Sequence, residues 1–211
     1  MTIKVFIADD RQMLLDGFAL AITNLGFGIA GMTTDVLQIK KLFLASKADV
    51  LVCDIRFNQE IDGLQTIAEI LAERKDAKAI VLTQFNDSLI VERAFQIGAL
   101  GFISKDDPME VLGEAIKSVH KGERYLSSAV AKNMAWNSLS PNNPSKILSE
   151  RELALFVSLA NGATPQEAQD LAGISYRTFV NVVAEIKNKL GLRTYSDFTK
   201  LAIKFGMVTL N

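Results

Sequence analysis

Over the first 105 residues, short unbroken apolar runs alternate with stretches whose apolar residues recur every three or four positions. The runs are Val5-Phe6-Ile7-Ala8, Val50-Leu51-Val52-Cys53, Ala79-Ile80-Val81-Leu82 and Gly101-Phe102-Ile103, with a weaker one over residues 28–33. Unbroken runs of this length suit strands buried on both faces of a parallel sheet. Between them, Met13, Leu14, Leu15, Phe18, Ile22 and Leu25 fall near helical spacing and stop at Gly26. Further helices are predicted over residues 36–44, from Asp62-Gly63 to Glu73, over 87–97, and from Pro108 to Lys121. Five strands alternating with five helices imply an α/β domain: a parallel sheet with helices on both faces and right-handed crossovers.

After about residue 125 the pattern changes. Residues 126–147 include Asn137-Ser138-Leu139-Ser140-Pro141-Asn142-Asn143-Pro144-Ser145, a polar run with two prolines that reads as a linker, preceded by some helical character up to Trp136. The sole tryptophan is expected to be partly buried against its own module. From Ser149 the periodicity is purely helical. Ser149-Glu150-Arg151-Glu152 makes a capped start. Thr164-Pro165 opens a short helix to Ala172, Gly173-Ile174-Ser175 is a tight turn, and a longer helix runs from Tyr176 to Leu190. A last helix is predicted from Tyr195 to Phe205. A short helix, a turn and a longer helix make a helix-turn-helix, which suits a DNA major groove. The organisation read here is a domain over 1–125, a linker over 126–147 and an all-α domain over 148–211.

The 211 residues are 49% hydrophobic and 22% charged, with one cysteine, and no apolar run reaches the length that spans a bilayer. The start at Met1-Thr2-Ile3 enters a strand directly, unlike a secretory signal. A cytoplasmic protein with no membrane partner is expected, with Cys53 packed as a small buried hydrophobe. Residues 1–125 hold 14 basic against 18 acidic side chains, and residues 146–211 hold 8 against 6. Acidic and mildly basic parts suggest modules with different partners.

The strand ends carry the chemistry. Asp9 and Asp10, Asp54, Thr83 and Lys105 follow strands one, three, four and five, and parallel strands present those ends on one edge, where open α/β sheets place ligands. Crowded carboxylates repel, and a hard cation such as Mg²⁺ relieves this while leaving positions for a phosphate oxygen. Lys105 and the Thr83 hydroxyl can hold further phosphate oxygens, and Asp54 can act as nucleophile in a phosphoryl transfer.

The pieces Ile7-Ala8-Asp9-Asp10, Val52-Cys53-Asp54, Asp62-Gly63, Val81-Leu82-Thr83 and Gly98 to Lys105 together resemble the flavodoxin-like (βα)5 receiver domain of bacterial two-component response regulators. The resemblance implies that Asp54 takes a phosphoryl group from a phosphohistidine on a sensor histidine kinase. It implies Mg²⁺ on Asp9, Asp10, Asp54 and the backbone carbonyl of Arg56, and a switch that couples Thr83 to Phe102. It implies a phosphoryl acceptor with at most slow self-dephosphorylation, not an enzyme. Two departures stand out. The loop Phe57-Asn58-Gln59-Glu60-Ile61 lacks the usual proline and is one residue longer. Gln84 replaces a smaller residue and is expected to slow entry of donor or water.

Leu148-Ser149-x-Arg151-Glu152, Ala160-x-Gly162-x-Thr164, Ile174-Ser175-x-x-Thr178 and Ile186-x-x-Lys189-Leu190-Gly191-Leu192 resemble the DNA-binding domain of the NarL/LuxR class. That implies a homodimer forming on activation and DNA contacts from Thr164, Arg177, Thr178, Asn181, Lys187 and Lys189. Asn181 is the candidate base reader, the alternative being that it is merely solvated. Val180 and Val182 stand where that class carries Lys and His, and Gln169 and Ala172 where it carries Ala and Leu. Two functions are therefore open: a phosphorylation-controlled transcription regulator, or a signalling adaptor whose divergent helix-turn-helix serves dimerisation or protein binding. An Asp-nucleophile phosphohydrolase would carry a second acid where Arg56 stands.

Overall fold

The computed structural model describes residues 2–57, 63–84 and 88–208. The chain divides into two compact units. One comprises the described residues up to Gln84 with Ile90–Lys132, and the other comprises Ser88, Leu89 and the described residues from Asn133 on.

In the first unit six strands form one parallel sheet in the order β2-β1-β3-β4-β5-β6. They are β1 (Lys4–Ala8), β2 (Gly28–Thr33), β3 (Val50–Cys53), β4 (Ala79–Thr83), β5 (Gly101–Ser104) and β6 (Tyr125–Leu126). The intervening helices are α1 (Gln12–Asn24), α2 (Val36–Ala45), α3 (Gly63–Glu73), α4 (Ser88–Gln96) and α5 (Met109–His120). Alternation along each strand sorts side chains to the two faces. Val5, Ile7, Val52, Ile80, Leu82 and Ile103 join Leu15, Phe18 and Ile22 of α1 and Leu112, Ile116 and Val119 of α5 in one buried cluster. The opposite face takes Phe6, whose ring meets Phe43 of α2 edge-on at 5.9 Å. Every residue of β3 and β4 is buried, because helices cover both faces of these central strands. Cys53 is buried with them.

Between about residues 125 and 147 the structure adds detail that the pattern did not carry. Tyr125 and Leu126 pair in parallel with Gly101 and Phe102, adding a sixth strand too short to carry a period. Ser128–Leu139 then forms α6, inside which the division between units falls, and Pro144–Ile147 forms one helical turn, α7. The Asn and Pro of this run are capping residues: Asn143 accepts the Ser145 N–H, Pro144 opens the turn, and the Asn143 amide donates to the Asn137 carbonyl at 3.1 Å. Trp136 is 72% exposed, against the expectation that it would be partly buried.

The second unit is helical, with α8 (Glu150–Ala160), α9 (Pro165–Ala172), α10 (Tyr176–Leu190) and α11 (Tyr195–Lys204). Leu155, Phe156, Leu159, Phe179, Val183, Ile186, Phe198 and Phe205 share its core, with Phe156 and Phe198 stacked at 5.4 Å. Ser149 and Glu152 form the capping box of α8, and Thr164 with Glu167 that of α9. The α9–α10 turn needs Gly173, whose φ of 60° is left-handed. Buried Gln169 is accommodated because its amide donates to the Pro165 carbonyl at 3.0 Å. No helix among the described residues is long and apolar enough to cross a membrane.

Candidate functional site

Because β1, β3, β4 and β5 are neighbours in that order, their carboxyl ends are contiguous. Asp9 and Asp10 follow β1, Asp54 follows β3, Thr83 ends β4 and Lys105 follows β5. One carboxylate oxygen from each of Asp9, Asp10 and Asp54 lies within 4.8 Å of the others. The Lys105 ammonium lies 2.5 Å from both Asp9 Oδ2 and Asp54 Oδ2. The side chains of Asp9, Asp54 and Lys105 are all nearly sealed from solvent. Five residues separated by up to 96 positions in sequence are thus brought to one edge, three of them acids in mutual reach and Lys105 paired with Asp9 and Asp54.

Backbone groups fix the acids. Asp54 Oδ1 accepts the Ile55 N–H at 2.7 Å and a longer bond from the Arg56 N–H at 3.4 Å. The Asp54 N–H donates to the Ala8 carbonyl, tying β3's end to the Asp9–Asp10 turn. Asp9 Oδ1 accepts the Arg11 N–H at 3.1 Å. The Lys105 N–H donates to the Thr83 carbonyl at 2.9 Å, so β4 aims the lysine inward. Asp107, two residues after Lys105, accepts the Ser104 N–H in its own turn.

Gly63 is a residue whose role the linear pattern did not reveal beyond a helix start. A Cβ there would lie 2.3 Å from the Asp54 carbonyl oxygen and 2.7 Å from Ile55 Cα. The first turn of α3 therefore presses against the strand end that carries Asp54. Asn58 to Asp62, and with them most of the departing loop, lie outside the described residues.

Thr83 and Phe102 are fully buried. Leu82 and Ile103 belong to the cluster on the α1–α5 face, so by strand alternation Thr83 and Phe102 lie on the opposite face together. Phe102 pairs with Val81, two residues before Thr83. Gln84 is half-buried, and its Oε1 accepts from Arg11 Nη2 at 3.0 Å.

Burial raises the Asp9 carboxyl above its ordinary value of 3.8; the Lys105 ammonium opposes this, and the Asp54 charge adds to it. A raised native value means that the folded state holds the proton more tightly than the unfolded chain. Asp9 then contributes stability that is complete below 3.8 and is lost as pH rises through the raised native value. Asp9→Asn is accordingly expected to gain on the native protein as pH climbs above 3.8, read as the difference in urea midpoints; a flat difference would show that Asp9 is not strained by burial. Oxygen-only donors at this spacing fit a hard divalent cation.

In the second unit Arg177, Thr178 and Asn181 are exposed on α10, and Arg177 and Asn181 share a face one turn apart. Thr178 Oγ1 lies 2.9 Å from Ser175 Oγ. Thr164 is exposed but held in its capping box. Lys187 lies 4.9 Å from the centre of the Tyr195 ring. Lys189 is ion-paired at the surface: its ammonium lies 2.7 Å from Glu152 and 3.0 Å from Glu185. That ammonium, followed by the Ser149 N–H, holds the Glu152 carboxyl below its ordinary range. The Lys189 charge is therefore paired with two carboxylates of its own module. Val182 is half-buried, while Val180 is 44% exposed beside Tyr176 at 68%.

Known proteins show the same organisation. The chain is 29% identical to the response regulator GacA of Pseudomonas aeruginosa over 98% of each protein. It is 28% identical to the oxygen regulatory protein NreC of Staphylococcus aureus, over 95% of this chain and 97% of that protein. Among solved structures, a complex of the two-component response regulator RcsB with DNA superposes with a TM-score of 0.61 at 21% identity, over 99% of this chain and 100% of that one; at this identity the likeness speaks to fold. Residues 5–117, more than half of the sequence, match the response regulator receiver domain. An acidic cluster and a lysine at the carboxyl edge of a 2-1-3-4-5-6 sheet, on a segment that matches that family, establish that this chain belongs to the response regulators with a receiver domain.

Proposed function

We propose that the protein is a cytoplasmic, phosphorylation-controlled transcription regulator, with a receiver over residues 1–125 and a DNA-binding domain over 148–211. The observation that carries this reading is the buried Asp9–Lys105–Asp54 arrangement beside Asp10. Asp54 Oδ2 attacks the phosphorus of a phosphohistidine on a sensor kinase. The P–N bond breaks, and the imidazole leaves with the electron pair and takes up a proton. The Ile55 N–H holds the other oxygen of Asp54 and so aims the nucleophile. Lys105 swings from the carboxylates to an oxygen of the incoming phosphoryl group, and the Thr83 hydroxyl donates to another. Asp9, Asp10, Asp54 and the Arg56 carbonyl would hold Mg²⁺, which when bound neutralises charge on the transferring group. The chain accepts a phosphoryl group and does not turn over substrate, apart from slow hydrolysis of its own acyl phosphate.

The new phosphoryl group draws Thr83 toward it, and Phe102, on the same face of the neighbouring strand, follows. The altered receiver surface pairs two copies, which sets two α10 helices on half-sites about 34 Å apart. Arg177 and Asn181 supply the DNA contacts, with Thr164 and Thr178 on the backbone. Lys187 contributes charge, and Lys189 has to exchange Glu152 for a phosphate. Selection of DNA from a random pool by acetyl-phosphate-treated protein should enrich a sequence with two half-sites. Arg177→Ala and Asn181→Ala should each cost about 1–3 kcal/mol of binding free energy.

A second reading is favoured by one observation: Val180, Tyr176 and Leu171 are exposed where a DNA reader would place charge. In it the helix-turn-helix binds protein. Binding that stays at the non-specific level at low salt, with and without phosphorylation, would favour this adaptor.

A further inference from the structure

Arg11 and Gln84 are 73 positions apart, yet their side chains are hydrogen-bonded at 3.0 Å. Arg11 follows Asp10 in the turn after β1, and Gln84 follows Thr83, the last residue of β4. In the sheet, β3 lies between β1 and β4. Two strand spacings, roughly 10 Å, separate β1 from β4. A bond between residues just beyond the ends of β1 and β4 therefore has to bridge the carboxyl end of β3, where Asp54 stands. The root of the bridge is fixed independently of its tip, because the Arg11 N–H donates to Asp9 Oδ1. The guanidinium can thus swing away without disturbing the acid below it. Asp54 itself is only 4% exposed.

We propose that Arg11 and Gln84 form a strap across the mouth of the acidic pocket and act as positioning residues that set both how fast Asp54 is phosphorylated and how long it stays so. The inference rests on Asp54 being the acceptor. Closed, the strap narrows the approach of a phosphodonor. After transfer it narrows the approach of the water whose oxygen attacks phosphorus as the P–O bond to Asp54 breaks, the carboxylate leaving with the electron pair and the water giving up its proton. Both reactions need the same opening, so both respond to the same bond. An exposed hydrogen bond has a net worth that corresponds to about 3- to 10-fold in such an opening.

The test uses the full chain with Mg²⁺ and acetyl phosphate, intact mass for uptake, and decay of the phosphorylated species after removal of the donor. Arg11→Ala and Gln84→Ala should each speed uptake and decay by about 3- to 10-fold, and the double variant should be no faster than either single one, because they remove one bond. Gln84→Glu, which can ion-pair with Arg11, should slow decay. Arg11→Ala with Gln84→Glu should decay as fast as Arg11→Ala alone, which separates a strap from a field effect of the added charge. Unchanged rates, additive rates, or slowing by Gln84→Glu that survives loss of Arg11 would each overturn the strap while leaving Asp54 as acceptor. Native protein that gains no phosphoryl mass would remove the acceptor reading and the strap with it.

Discussion

Asp54→Asn should end phosphoryl uptake from acetyl phosphate, with a rate at least about 1000-fold below that of the native chain. The amide is isosteric and can still accept the Ile55 N–H through its oxygen. What it loses is the carboxylate lone pair that forms the bond to phosphorus. The fold should survive, since Lys105 keeps Asp9 as a partner at 2.5 Å and no charge is left alone in the pocket. Complete loss of a buried partner would cost about 3–5 kcal/mol, and here only half of the pairing is removed. Intact mass after incubation with Mg²⁺ and acetyl phosphate reads the result. A persisting phosphoryl adduct on the variant would move the acceptor to another residue and undo the assignment of the pocket.

Gly63→Ala is expected to be the most damaging single-methyl change near the site. The added carbon would sit 2.3 Å from a backbone oxygen and 2.7 Å from a backbone Cα, neither of which can turn aside as a side-chain tip can. Either α3 lifts off the sheet, losing part of the burial of Leu64, Ile67 and Ile70, or the Asp54–Ile55 backbone moves. Overpacking of this kind costs about 1–3 kcal/mol, and phosphoryl uptake should fall by about 10-fold or more because Asp54 is displaced by a sizeable fraction of an ångström. Urea denaturation and the uptake rate measure the two effects. A variant with native stability and native uptake would mean that α3 does not bear on Asp54 as the structure has it.

The receiver's helices were legible from their period and its strands from unbroken apolar runs. The apolar runs at residues 5–8, 79–82 and 101–103 fall within β1, β4 and β5 to a residue, and the helix predicted to Glu73 matches α3. Capping residues marked α8 and α9 within a residue, since Ser149 and Thr164 satisfy N–H groups only a turn away. Elements without a period were illegible. β6 is two residues long, and its pairing with Gly101 and Phe102 exists only because the sheet has an open edge there. α7 hid inside a run whose Asn and Pro signal turns as readily as helix starts. In the second unit the charge of Lys189 looked available for DNA, because nothing in the linear order sets Glu152 beside it.

Which residue types gather at the strand ends is local information, and the chain alone determined it: apolar runs that terminate in Asp, Thr or Lys, and helix caps at fixed offsets. Which of those groups touch is decided by strand order, since β3 has to lie between β1 and β4 before Asp54 can meet Asp9 and Lys105, or Arg11 can reach Gln84 above it. Periodicity is a property of neighbours along the chain, whereas pairing, close approach and charge neutralisation depend on partners that only the packed sheet and helices bring within a few ångströms.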